Sequence, residues 1–213
     1  MRKQNSFHSQ KTLFITFEGV EGAGKSTLMQ SLYEFFRQKN VPVIQTHEPG
    51  GTPLGKQLRE ILLHREKDTV SKKAEIFLFL ADRANHVTEI IIPALRQGTV
   101  VLCDRYTDST IAYQSNEEVD AAKLKELCNF ATGNLQPNIT FLLDIDPGLS
   151  LARLSHRDHF ENKDIAFHQG IRKKFLKLAS IYKKRFVILN ARLPMTQVLQ
   201  LAIDRIQETI QYV

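Results

Sequence analysis

The sequence predicts an α/β fold, a three-layer sandwich in which helices cover both faces of a five-stranded parallel sheet. Five short apolar or β-branched segments alternate with stretches that have the 3–4 spacing of amphipathic helices. In addition, a glycine-rich turn joins the first of these segments to a helical pattern. This order of strand, turn and helix is typical of the strand ends in a parallel α/β sheet.

We expect strands at about 12–17, 41–44, 99–104, 139–145 and 186–189. Helices are expected at about 25–38, 54–63, 72–95, 109–114, 121–132 and 171–184, with two more beginning at Pro147 and Pro194. The core face of the helix at 72–95 is predicted to be Phe77, Leu80, Ala81, Ala84, Thr88 and Ile91, and that of the last helix Val198, Leu201, Ala202, Ile206 and Ile210. The strand order does not follow from the sequence.

Composition limits the classes of protein that fit the chain. It has 213 residues, 42% of them hydrophobic and 24% charged, which suits one domain at 12–213 after a polar extension at 1–11. No apolar run is long enough to span a membrane, and the polar start does not have the pattern of a signal peptide. Cys103 and Cys128 have neither pairing nor metal-ligand spacing and are expected to be buried thiols of a reducing compartment, so we predict a cytoplasmic protein.

The net charge of +6 favours anionic ligands. The basic residues are spread along the chain, and the triplets at 172–174 and 183–185 lie in helical stretches, where solvated faces are commoner than nucleic-acid patches. We therefore predict no nucleic-acid partner.

The turn after the first strand carries the most specific signal, because it matches the phosphate-binding loop G-x-x-x-x-G-K-[ST]. Its glycines allow backbone N–H groups to surround phosphate oxygens, and the helix that follows directs its positive end at the same anion. Lys25 adds a cation for the outer phosphates, and the Ser26 hydroxyl can ligate Mg²⁺. The sequence thus predicts a nucleoside triphosphate bound by Gly19, Val20, Glu21, Gly22, Ala23, Gly24, Lys25, Ser26 and Thr27.

Three further groups of residues are candidates for the site. Glu48 lies in a Pro/Gly-rich loop at a strand end, although an ordinary turn explains that loop equally well. Phe79 and Arg83 project together from a non-core side of their helix, either as a stacking and hydrogen-bonding platform for a base or as a surface cation–π pair. Asp104 ends a buried-type strand, as a Mg²⁺-side carboxylate or as a helix cap, and Arg105 follows it.

A polar, basic stretch at 153–164 joins two helical segments and is expected to be a lid that closes on phosphates, or alternatively an exposed connector. Its histidines have no Cys or carboxylate at ligand spacing, which argues against a metal site there.

Several of these stretches together resemble those of bacterial thymidylate kinases, which phosphorylate dTMP with ATP. The matching segments are Phe17–Thr27, Glu48-Pro49-Gly50-Gly51-Thr52, Phe79-Leu80-Ala81-Asp82-Arg83, Asp104-Arg105-Tyr106 with Ser109 and Ala112-Tyr113-Gln114, and Leu142–Pro147. The phosphate loop is shared by many families, but Glu-Pro-Gly-Gly-Thr together with Asp-Arg-Tyr and Ala-Tyr-Gln is specific.

The resemblance implies a phosphate-loop kinase fold, phosphorylation of dTMP to dTDP with ATP and Mg²⁺, and a homodimer. Lys25, Arg105, Arg153 and Arg157 would be the catalytic cations, and Ser26 and Asp104 would lie at the metal. The residues that would bind dTMP are Glu21, Glu48, Phe79, Arg83, Arg105, Ser109, Thr110, Tyr113 and Gln114. In this scheme Phe79 stacks on thymine, Arg83 hydrogen-bonds it, and Tyr113 packs where a 2′-hydroxyl would go.

The chain departs from the family pattern at three points. His47 stands where arginine is usual, His159 replaces the arginine of a lid Asp-Arg pair, and the lid is a few residues shorter than in some relatives. The alternative function is another small-molecule or nucleoside monophosphate kinase of this fold, acting on CMP, GMP or shikimate. A GTPase would need an Asn-Lys-x-Asp motif, and the segment 162–164, Asn-Lys-Asp, is one residue too short for it. A nucleic-acid ATPase would need concentrated basic patches, which the chain does not have in its sequence.

Overall fold

A computed structural model of the chain describes residues 12–63, 69–154, 159–160 and 163–212. The strands are β1 (Phe14–Glu18), β2 (Val43–His47), β3 (Val100–Asp104), β4 (Ile139–Asp144) and β5 (Phe186–Asn190). The α-helices are α1 (Lys25–Gln38), α2 (Pro53–Leu63), α3 (Lys72–His86), α4 (Ile92–Arg96), α5 (Thr107–Gln114), α6 (Ala121–Thr132), α7 (Pro147–Leu151), α8 (Ile165–Ile181) and α9 (Met195–Tyr212).

The five strands form one parallel sheet in the order β2-β3-β1-β4-β5, so the predicted fold class is confirmed. The register pairs Phe17 of β1 with Asp104 of β3, and Asp104 also with His47 of β2. Three strands therefore end at the same level. The loops that follow them, including the glycine-rich one, meet at this carboxyl edge, where open α/β sheets bind ligands.

Helices cover both faces of the sheet, which explains the near-continuous apolar sequences of its central strands. On one face Ile15 and Phe17 join a large apolar cluster that also contains Leu28 and Leu32 of α1. On the other face Phe14 packs in a smaller cluster with residues after α3 and from β3. Cys103 and Cys128 are both buried and unpaired, as predicted.

The long helix predicted at 72–95 is in fact three pieces: α3, a π-helical turn at Val87–Ile91, and α4. Its core face was predicted only in part: Leu80 and Ile91 are buried, but Phe77 is 62% exposed and Ala81 and Thr88 are exposed too. The buried stripe is instead Ile76, Leu80, Arg83 and Val87. Periodicity missed it because the stripe contains a charged residue, which is buried only when it is paired.

The remaining boundaries differ by a few residues, with the largest shift at α8. It begins at Ile165 rather than 171, because the Asp164 side chain accepts a hydrogen bond from the Phe167 N–H at 2.7 Å and caps the helix. In α9, Leu201 is 47% exposed and does not belong to the core face. Within the described ranges, every helix is too short or too polar to cross a lipid bilayer.

Candidate active site

A cavity of about 650 Å³ opens at the carboxyl edge of the sheet. Among its lining residues are most of the predicted site residues: Glu21, Gly22, Ala23, Gly24, Lys25, Ser26, Thr27, Glu48, Phe79, Arg83, Asp104, Arg105, Ser109, Thr110, Tyr113, Gln114 and Arg153. Gly19 and Val20 belong to the same loop and accept hydrogen bonds from Lys25 through their carbonyls. Arg157 lies outside the described residues.

The loop at 19–27 has a backbone that requires glycine at three points, one of which is Gly19 with a φ of 138°. Gly22 and Gly24 have positive φ angles of 70° and 97°, and a Cβ on Gly22 would overlap the carbonyl of Ser150. Gly24 is the N-cap of α1, so the positive end of that helix faces the cavity. Lys25 is buried under the loop, and burial together with the Arg105 charge lowers the pKa of its ammonium group.

Ser26 and Asp104 meet across the loop. The Ser26 hydroxyl donates to Asp104 Oδ2 at 2.9 Å, and Asp104 Oδ1 is buried with no hydrogen-bond partner in the described part of the chain. A hydroxyl and a carboxylate with a spare oxygen are hard oxygen ligands of the kind that Mg²⁺ prefers. Asp104 does not cap α5, whose N-cap is Tyr106, so the alternative interpretation of Asp104 is wrong.

Arg105 is held rigidly at the centre of the site. Its φ of 69° is unusual for a side-chain-bearing residue, and its guanidinium donates to Gly19 O and to Ser109 Oγ, each at 3.2 Å. It also donates to Glu21 Oε1 at 3.0 Å and lies over the Tyr113 ring at 5.2 Å. The strained backbone therefore aims this cation into the cavity.

Glu21 is the acceptor at which these groups converge, since the Tyr113 hydroxyl donates to the same Oε1 at 2.5 Å. Burial alone would raise the pKa of Glu21, but the Arg105 guanidinium, His168 and the Lys25 ammonium outweigh burial and hold that pKa far below its usual range. Glu21 is thus a carboxylate at neutral pH.

Glu18 supports this cluster from below and was not predicted from the sequence. Its carboxyl group accepts from the Tyr106 N–H at 2.9 Å and from the Ser109 hydroxyl at 2.6 Å. Burial and the neighbouring Asp108 charge raise the pKa of Glu18 well above its ordinary value.

Arg83 is 1% exposed and reaches the cavity from within the core, so its predicted position on a non-core face is wrong. It donates from Nε to Glu48 Oε2 at 2.7 Å, from Nη1 to Thr110 Oγ1 at 2.8 Å and Cys128 Sγ at 3.6 Å, and from Nη2 to Tyr106 O at 3.0 Å. A guanidinium has five N–H groups. One N–H on Nη2 is therefore left without a partner in the described residues.

Glu48 is 3% exposed, and both of its oxygens are occupied by protein groups. Oε2 accepts from Arg83, and His86 Nδ1 lies 2.8 Å from Oε1. The carboxylate therefore fixes the orientation of Arg83. No local pattern in the sequence points to His86, whose other ring nitrogen lies 2.5 Å from Thr46 Oγ1.

Glu48, His86 and Cys103 bring their side-chain donor atoms within 4.8 Å of one another. Burial raises the pKa of the Cys103 thiol well above its ordinary value, and the thiol donates to the Arg105 carbonyl at 3.1 Å. Because the carboxylate and the imidazole are hydrogen-bonded as well, the cluster is a hydrogen-bond network that supports the cavity wall.

Asp82 lies behind the same wall. It accepts from the Gly50 N–H at 3.0 Å, and burial together with the Glu48 charge raises the pKa of Asp82 from 3.8 to about 6. The folded protein therefore holds this proton at pH values where the unfolded chain has lost it.

Aromatic rings line part of the cavity. Phe160 packs against Phe79 and Tyr113, with ring centroids 6.2 Å and 5.9 Å apart, and is 8% exposed. Phe160 belongs to the segment that was predicted as a lid, and no pattern in that segment pointed to this residue. From the same segment, Arg153 donates to Gly22 O at 3.4 Å, so its side chain lies against the phosphate loop.

A phosphate-binding loop at one end of a cavity, with an arginine, aromatic rings and a buried guanidinium at the other, defines a phosphate-loop kinase that acts on a small molecule. The comparisons specify the family. The family model described as "Thymidylate kinase" matches residues 17–203. The chain belongs to the thymidylate kinase family.

Individual relatives agree with this assignment. The chain is 42% identical over 210 residues to a thymidylate kinase of Protochlamydia amoebophila, with 93% of each chain covered. It is 46% identical over 181 residues to one from Synechococcus sp., covering 84% of this chain and 87% of the other. The crystal structure of thymidylate kinase from Ehrlichia chaffeensis superposes with a TM-score of 0.75 at 30% identity, covering 92% of this chain and 98% of that one. The chain is therefore an enzyme of this family, a thymidylate kinase in its activity.

Proposed function

We propose that the cavity holds ATP at the phosphate loop and dTMP between Arg105 and Arg83, and that Mg²⁺ lies at Ser26 and Asp104. The reaction is transfer of the γ-phosphoryl group of ATP to dTMP, which gives dTDP. The observation that carries the proposal is a single continuous cavity with phosphate-binding groups at one end and a partly unsatisfied buried guanidinium at the other.

At the ATP end, Lys25 supplies the cation for the outer phosphates. Its ammonium group donates to Gly19 O at 3.2 Å and to Val20 O at 3.0 Å. These carbonyls hold it beneath the backbone N–H groups of the loop, so the phosphates meet a preorganised set of donors.

Ser26 and Asp104 fit a magnesium ion, because Asp104 keeps a buried oxygen that no described protein group satisfies. When bound, Mg²⁺ supplies charge neutralisation on the transferred phosphoryl group. The Ser26 hydroxyl and the Asp104 carboxylate would be the two protein oxygen ligands of this ion.

At the dTMP end, Arg105 is placed to bind the acceptor phosphate, and Glu21 with Tyr113 faces the deoxyribose. The free N–H of Arg83 can only donate, so it suits the O4 carbonyl of thymine and not the N4 amino group of cytosine. Phe79 and Phe160 offer apolar ring surface for the base and its methyl group. Glu48, Ser109, Thr110 and Gln114 complete the pocket as lining residues that orient these groups.

Arg153 is proposed as the lid cation that stabilises charge during transfer, since it already contacts the phosphate loop. Arg157, outside the described residues, keeps the same proposed role.

Two further proposals concern the state of the enzyme. The rings of Phe77 and Phe130 are 62% and 90% exposed, and they lie on α3 and α6, which pack against each other. These exposed apolar rings support a homodimer, which light scattering of the purified protein would test.

The two buried, unpaired thiols support a reducing, cytoplasmic setting.

The proposed function is tested by incubating the purified protein with ATP, Mg²⁺ and a panel of acceptors: dTMP, dUMP, dCMP, CMP, GMP and shikimate. ADP release should be fastest with dTMP. Preference for CMP, GMP or shikimate would contradict the proposal and favour another kinase of this fold. Omitting Mg²⁺ should abolish turnover, and Asp104→Asn should raise the Mg²⁺ concentration needed for half-maximal rate.

A further inference from the structure

His168 on α8 is a fully buried histidine beside the reactive part of the cavity. It is 0% exposed, and in the described part of the chain neither ring nitrogen has a hydrogen-bond partner. Buried polar groups without partners are uncommon and destabilising, so such a residue calls for a physical reason.

The group nearest to its ring is the second oxygen of Glu21. Nδ1 of His168 lies 3.3 Å from Glu21 Oε2, within ion-pair distance but outside hydrogen-bond alignment. Glu21 Oε1 is already engaged by Arg105 and Tyr113, whereas Oε2 has no hydrogen-bond partner among the described residues. A small rotation of the carboxylate would therefore complete a bond that both groups lack.

We propose that His168 is a positioning residue for dTMP, which fixes Glu21 so that Oε1 keeps Arg105 and Tyr113 in place. This inference rests on the proposed function, in which those three residues face the acceptor nucleotide. The tautomer with the proton on Nδ1 donates to Oε2, and Nε2 is then an acceptor without a partner in the described part of the chain.

The location of His168 also links the acceptor site to the lid segment. The backbone N–H of His168 donates to the carbonyl of Asp164. Asp164 is the last residue of the lid segment and caps the start of α8. The neighbouring Phe167 ring packs on Tyr113, with centroids 6.2 Å apart. The first turn of α8 thus contacts the acceptor site through two consecutive side chains.

The test compares His168→Asn with His168→Leu. The two replacements have nearly the same shape, but only asparagine can donate a hydrogen bond from the position of Nδ1. We expect the leucine variant to lose about tenfold in kcat/KM for dTMP, the scale of one hydrogen bond to a charged group, and the asparagine variant to retain most of it. KM for ATP should change by less than about twofold in both, because Lys25 keeps its hydrogen bonds to the carbonyls of Gly19 and Val20.

Thermal melting separates positioning from a structural role. His168→Leu leaves Glu21 Oε2 without its donor and should lower Tm by a few degrees, whereas His168→Asn should stay closer to the wild-type Tm. Ile171→Val, a buried position one turn along α8, is the control: it should lower Tm slightly and leave KM for dTMP unchanged.

A double-mutant cycle completes the test. In a Glu21→Ala background the difference between the asparagine and leucine variants should shrink to less than about twofold, since the acceptor is gone. Equal kcat/KM for the two single variants, or an undiminished difference without Glu21, would overturn the inference. The activity of the wild-type enzyme on dTMP is measured first, because its absence would contradict the proposed function. If the wild type is active, the variants test the role of His168 alone.

Discussion

Glu48→Gln removes the charge that neutralises the buried Arg83 while it keeps the shape of the side chain. The glutamine oxygen can still accept from Arg83 Nε, and its amide group can donate to His86 Nδ1 if that ring changes tautomer. The hydrogen bonds thus survive, and the loss is chiefly electrostatic.

The size of this loss follows from the burial of the pair. Breaking a buried ion pair by removing one partner costs roughly 3–5 kcal/mol. The retained hydrogen bonds reduce that cost, and removing the Glu48 charge also lets Asp82 ionise more readily, which partly compensates Arg83. We expect about 2–3 kcal/mol lower stability, which for a chain of this size corresponds to a Tm lower by about 4–12 °C.

The assay combines thermal melting with steady-state kinetics. KM for dTMP should rise, because the neutral amide holds the Arg83 guanidinium more weakly than the carboxylate does, whereas KM for ATP should stay constant. Glu117→Gln, an exposed carboxylate on the loop before α6, is the matched control and should change neither quantity. A Glu48→Gln enzyme with wild-type Tm and wild-type KM for dTMP would refute the inferred role of the pair.

Three other changes test separate parts of the site. Lys25→Met should leave Tm close to wild type and abolish most turnover at saturating ATP, because it removes the cation on the outer phosphates; near-normal kcat would contradict this. Arg153→Ala should lower kcat by about 10²- to 10⁵-fold with smaller changes in either KM, whereas an effect confined to KM for ATP would make it a binding residue. Because the pKa of Asp82 is raised from 3.8 to about 6, the native state binds the extra proton and the free energy of unfolding falls as pH rises from about 4 to 6, by at most roughly 3 kcal/mol. Asp82→Asn should remove that decline and melt higher at pH 7.5; parallel Tm–pH curves for the two proteins would contradict it.

The fold was predictable because its signals are local and repeated. β1, β3 and β4 are buried on both faces and are therefore almost wholly apolar, and each is followed by a turn and a helix. The strand order was not predictable, since the pairing of β1 with both β3 and β4 depends on contacts between distant segments.

Within the site, the phosphate loop was predictable because one short segment contains its whole chemistry. The burial of Arg83 was not, because it depends on Glu48, 35 positions earlier in the chain. His168 and Phe160 were missed for a similar reason. A single histidine or phenylalanine gives no periodic or spacing signal, and only the fold brings them beside Glu21 and Phe79.

The most direct test of how this enzyme selects its substrate is the ranking of kcat/KM for dTMP, dUMP and dCMP in the wild type and in Arg83→Ala. If the free N–H of Arg83 reads O4, dTMP should be best, dUMP lower by some tens-fold through loss of the methyl contact, and dCMP lower by about 10⁴ or more. Ribo-TMP should also be poor, because its 2′-hydroxyl would crowd the Tyr113 ring. Arg83→Ala should raise KM for dTMP and narrow the gap to dCMP. Equal use of dCMP and dTMP by the wild-type enzyme would contradict the proposed recognition of thymine.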